Sequence, residues 1–75
     1  MDDTKYVRMG AKIKYYRNIE GMGQAELSEK IGISRQYLSR LECGNSKPSV
    51  DLLFRISEVL GVDITMIMKS DDIDR

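Results

Sequence analysis

From Lys5 onward the apolar residues Tyr6, Met9, Ile13 and Tyr16 recur at steps of three, four and three. That interval keeps side chains on one face of a helix, and it predicts a first helix ending near Asn18. Glu20-Gly21-Met22-Gly23 interrupts the pattern, with Gly21 suited to the turn past a helix end. A second helix follows, with Gly23 as N-cap and Gln24 in its first turn. Leu27 and Ile31 face inward four residues apart, beside the small residues Ala25 and Ser28. Gly32 stops this helix, Ile33 follows, and Ser34 is placed to cap a third helix from Arg35 to about Cys43. There Leu38 and Leu41 must point to the core, with Tyr37 beside them. Gly44 and the turn-rich Asn45-Ser46-Lys47-Pro48 lead to a fourth helix capped by Ser49, with Val50, Leu53, Ile56, Ser57 and Leu60 as its predicted buried stripe. Gly61 ends it, and Asp63 can cap a last short helix from Ile64 to about Lys69.

Five helices, no strand pattern and short connections predict an all-α fold, a compact five-helix bundle. One domain over residues 5–69 is expected, with flexible termini at 1–4 and 70–75. At 75 residues there is room for a single small core, and a domain of this size buries only about 60% of its unfolded surface.

Composition narrows the chemistry. The chain has no histidine and one cysteine, Cys43. The usual transition-metal ligand sets cannot be assembled, nor can Ser–His or Cys–His catalytic pairs. Twelve acidic residues remain, but no two sit in an apolar context suited to acid–base work. These features argue against an enzyme, and no cofactor, metal or small-molecule ligand is expected. A single unpaired thiol without a signal peptide points to a reducing, cytoplasmic setting, and no apolar run reaches the ~20 residues of a membrane span.

The zero net charge hides a polarity. Residues 1–48 hold nine Lys and Arg against six Asp and Glu, whereas residues 49–75 hold three against six. The cationic half contains the second and third helices. A helix pair joined through a glycine bend packs steeply and leaves one helix projecting. With Leu38 and Leu41 inward, the projecting face of the third helix carries Arg35, Gln36, Ser39 and Arg40. Arg35 and Arg40 match the two major-groove acceptors of guanine, Gln36 the donor–acceptor edge of adenine, and Ser39 a base or a phosphate. The start of the second helix, at Gly23 and Gln24, offers backbone N–H groups and a positive dipole end for a phosphate. Lys47 adds a cation beyond the other end of the third helix, and the Tyr37 hydroxyl is a further phosphate candidate. Double-stranded DNA is the partner this pattern predicts.

The stretch Gly10 to Met68 resembles the helix-turn-helix domain of the lambda/434 repressor and Cro family, the XRE family. The resemblance rests on Arg17, GMGQAELSEKIGIS, LSRLECG, Lys47-Pro48-Ser49 and the closing LGVDITMI. It implies a lambda repressor-like fold with the helix-turn-helix at helices two and three. It also implies base contacts from Arg35, Gln36 and Arg40, a DNA-facing Ser39, and a phosphate contact from Gln24. Arg17 and Glu42 occupy positions that pair in the family, which assigns them to the scaffold. Gly23 stands where the family usually has Ser or Thr, and Ser28 where alanine is usual, so Ser28 must bond back to the chain.

The last two helices carry more apolar residues than a small core needs. Leu52, Phe54 and Val59 lie off the predicted stripe, and Ile64, Met66, Ile67 and Met68 cannot all point inward from so short a helix. Ile64, Met66 and Ile67 are therefore the expected homodimer interface. The functional expectation is a small transcriptional regulator, a repressor binding an inverted-repeat operator as a dimer. The alternative is a protein-interaction module, such as an antitoxin or adaptor, on the same fold.

Overall fold

Ser34 and Ser49 each stand one residue before a helix, and each hydroxyl oxygen accepts a backbone N–H three residues on. Ser34 Oγ accepts from Tyr37 at 3.0 Å and Ser49 Oγ from Leu52 at 3.1 Å. Local bonds of this kind divide the chain into α1 (Thr4–Ile19), α2 (Gln24–Ile31), α3 (Arg35–Glu42), α4 (Val50–Leu60) and α5 (Thr65–Met68). This computed structural model describes residues 4–69. The expected tails thus lie outside the described residues, except that Thr4 is the first residue of α1.

The caps follow the sequence reading. Gly23 precedes α2 in extended conformation without a side-chain cap. The Gly32 turn is left-handed, with φ 81°, a region that costs glycine nothing and other residues about 1 kcal/mol or more. Ser28 Oγ donates to the Ala25 carbonyl at 3.0 Å, which satisfies its hydroxyl at a buried position. Asp63 Oδ1 accepts from the Thr65 amide at 3.0 Å and from its hydroxyl at 2.9 Å. The amide first and the hydroxyl second hold the Asp63 carboxyl below its ordinary pKa. This small cap is therefore complete above the usual carboxylate range and is lost as pH falls through the lowered value.

α1 packs on α3, α4 and α5, while α2 packs on α3 and α4. Their shared core is Ile13, Leu27, Ile31, Leu38, Leu41, Leu52, Leu53, Ile56, Leu60 and Ile67. Where α1 meets α3 the spacing is set by Gly10. A methyl group there would lie 2.8 Å from the Glu42 carbonyl oxygen and closer still to that of Leu41.

Three expectations about the C-terminal half are corrected. Val50, assigned to the α4 stripe, is 54% exposed, and Leu52, assigned to surplus surface, is only 4% exposed. The cause is that α4 contacts both α1 and α2. Two adjacent rows, Leu52 and Ile56 beside Leu53, Ser57 and Leu60, are buried, while Val50 sits in the first turn at the bundle's edge. Ile67, expected at a dimer interface, is 1% exposed and closes the monomer core beneath α5. A helix of four residues offers one inward direction; Ile67 takes it, which leaves Met66 43% exposed and Met68 41% exposed. Ile64 is partly buried against the core.

Candidate nucleic-acid interface

The outward face of α3 depends on what fixes its inner face. Leu38 and Leu41 enter the core, and the next inward position is a charge, Glu42. Its carboxylate is held from both sides. Oε2 accepts from Arg17 Nε at 2.6 Å, and Oε1 accepts from Arg17 Nη2 at 2.9 Å. The pair implied by the resemblance is thus present, as a two-point fork with side chains only 8% and 4% exposed. Arg17 Nη1 donates onward to the Met22 carbonyl at 2.8 Å. The fork ties α1 to the end of α3 and to the turn before α2, which fixes how α3 is presented.

Gln24 joins the same network. Its Nε2 donates to Glu42 Oε1 at 2.9 Å. The expectation gave Gln24 only a phosphate to bind; the structure gives the amide nitrogen a second, internal task. One amide hydrogen and the carbonyl oxygen remain for an external ligand. That anchoring places Gln24 beside α3, where it lines a shallow cleft of about 330 Å³ with Arg35, Gln36 and Ser39. Four of the residues singled out in the sequence therefore meet at one place, and they come from the first turn of one helix and the exposed face of the next.

Arg40 is not part of that cleft. Its guanidinium carbon lies 5.7 Å from the centre of the Tyr37 ring, within reach of a cation–π attraction. Tyr37 is half-buried against the core, so its ring acts as a fixed platform beside the exposed Arg40. Lys47 lies farther along the chain, beyond the end of α3, with its ammonium 5.9 Å from the Tyr6 ring centre. The sequence-predicted residues are thus brought into three groups along α3 rather than one.

Arg55 is a structural residue that sequence reasoning missed. Its Nη1 donates to the Ile31 carbonyl at 2.9 Å and so closes the C-terminus of α2 next to the Gly32 turn. The partners are 24 residues apart, and no local pattern announces such a bond. Among the described residues there is no group of three or more acidic or cysteine side chains placed to hold a metal ion. No helix among them is long and apolar enough to cross a membrane.

Comparison with known proteins agrees with this geometry. The profile of the helix-turn-helix family matches residues 13–67. An uncharacterized HTH-type transcriptional regulator of Methanocaldococcus jannaschii is 39% identical over 64 residues, covering 85% of this chain and 97% of that protein. The HTH-type transcriptional regulator SinR of Bacillus licheniformis is 35% identical over 65 residues, covering 85% of this chain and 59% of SinR. The solved structure of the restriction-modification controller protein C.AhdI from Aeromonas hydrophila matches with a TM-score of 0.81 over 85% of this chain and 97% of its own. At 20% identity the last is a likeness of fold.

Proposed function

The chain belongs to the helix-turn-helix family, and on that premise we propose that it regulates transcription by binding a specific double-stranded DNA sequence through α3. The observation that carries the reading is the cleft lined by Gln24, Arg35, Gln36 and Ser39. It sets hydrogen-bonding groups for bases next to one for a phosphate on an otherwise locked scaffold. Gln36 lies at the middle of the face opposite Leu38 and Leu41, where a helix in the major groove comes closest to base edges. Arg35 and Arg40 flank it and read guanine; Gln36 reads adenine. Half-sites accordingly contain at least one G and one A.

The protein acts as a repressor and binds as a homodimer. Exposed Met66, together with Ile64, supplies the apolar surface for the second copy, while Ile67 belongs to the core. In a two-fold dimer the two α3 helices enter successive major grooves about 34 Å apart, on an inverted repeat. Selection of bound duplexes from a random DNA pool tests this directly. A symmetric site containing those bases is the expected result; a pool that stays random after selection overturns the reading in favour of a protein-interaction module.

Arg40→Ala weakens binding to the selected duplex by about 1–3 kcal/mol and relaxes the preference at one base pair. The comparison duplex is random in sequence. An equal loss on both duplexes would make Arg40 a phosphate anchor instead of a base reader.

A further inference from the structure

Beyond the end of α3 the chain passes close under α1. At Gly44 a methyl group would lie 2.6 Å from Val7 Cα and 2.7 Å from Val7 Cγ2, so the loop and the first turns of α1 are in backbone contact. That contact sets Tyr6, the neighbour of Val7, over the loop. Tyr6, Gly44, Asn45, Ser46 and Lys47 line a cleft of about 270 Å³. Two ammonium groups lie near the same ring, Lys5 Nζ at 5.2 Å and Lys47 Nζ at 5.9 Å from its centre. Neither lysine forms an ion pair among the described residues. The Gly44 and Asn45 amides are spent on the carbonyls of Leu41 and Arg40, whereas those of Ser46 and Lys47 have no acceptor among the described residues.

Two like charges 42 positions apart in the chain, gathered at one aromatic face beside unspent amides, call for an anion. We infer that Lys5, Tyr6 and the Ser46–Lys47 loop form a second phosphate clamp, which grips the DNA backbone and makes α1 part of the DNA-binding surface. The inference rests on the proposed DNA binding and extends it to residues outside the helix-turn-helix. The dimension fits. α3 has eight residues and so is about 12 Å long, and the major groove is about 12 Å wide. The Gln24 cleft lies by the first half of α3 and the Tyr6 cleft just past its end, so the two reach phosphates on the opposite strands that bound one groove. The ring keeps each ammonium close to its binding position, which reduces the conformational entropy lost on contact.

The test is the salt dependence of binding to the selected duplex and to a random duplex. Lys5→Gln is compared with Lys14→Gln, which makes the same change in charge. Lys14 is exposed and nine residues on in α1, half a rotation away around the helix. Lys5→Gln lowers affinity for both duplexes alike and reduces the log–log salt slope by about 0.9. Lys14→Gln leaves the slope unchanged. Tyr6→Leu lowers affinity for both duplexes severalfold but keeps the slope, because no charge is removed. Equal effects of Lys5→Gln and Lys14→Gln would reduce the clamp to a matter of net charge and overturn it. Saturable shifts of the Ser46 and Lys47 amide resonances with inorganic phosphate, but not with duplex, would assign the cleft to a free anion and overturn it too. A wild-type protein that binds no duplex would instead refute the DNA reading itself, whereas wild-type binding with an unaltered Lys5→Gln slope refutes only the clamp.

Discussion

Glu42→Ala lowers the free energy of unfolding by about 3–5 kcal/mol, a large part of what a domain this small possesses. The substitution leaves the Arg17 guanidinium buried with two of its hydrogen bonds gone and only the Met22 carbonyl as partner. It also strips Gln24 Nε2 of its acceptor. Side chains exposed by only 8% and 4% recover little from water, so the loss is close to that of a buried charge left alone. The double variant Arg17→Met, Glu42→Leu loses less than Glu42→Ala by itself, because apolar groups of similar size fill the site without an orphaned charge. Urea unfolding of the three proteins checks both statements. A Glu42→Ala loss below about 1 kcal/mol would place the pair among weakly coupled surface bridges.

Gly10→Ala destabilises the fold at or beyond the upper end of the ~1–3 kcal/mol range for overpacking. Local propensity points the other way, since alanine in a helix interior gains about 1 kcal/mol over glycine. The steric term wins because the added carbon meets backbone, the carbonyls of Leu41 and Glu42, which no rotamer change can move aside. α1 must lift from α3. Arg17 lies seven residues on along the same face, so the fork to Glu42 lengthens with it. Thermal unfolding reads the effect directly, at about 4–8 °C per kcal/mol for a domain of this size. An unchanged or raised midpoint would show that α1 and α3 have room to separate.

These two predictions mark where the sequence was legible. Helix starts and stops were readable because their causes lie within four residues: Ser34 and Ser49 as caps, Gly32 as the turn, Asp63 before Thr65. The exposed face of α3 followed from the spacing of Leu38 and Leu41. The pairing of Arg17 with Glu42 came from the family resemblance and is present. What failed was the assignment of apolar residues in the C-terminal half. Val50, Leu52 and Ile67 are all apolar, and periodicity alone cannot tell which side of a short helix a neighbour will cover. The double role of Gln24 was invisible for the same reason, its partner being 18 residues away.

The sequence by itself determined five helices, their caps, the helix-turn-helix and the identity of the side chains that face outward from α3. Those features are settled by steric and hydrogen-bonding preferences acting over one turn of chain. Only the tertiary structure decided that Ile67 belongs to the core and Met66 to the surface. It alone joined Gln24 to Glu42, gave Gly10 its place against α3, and gathered Lys5, Tyr6 and Lys47 in one cleft. Each of these depends on backbones that meet after a long excursion of the chain, where close packing, not local preference, fixes which groups become neighbours.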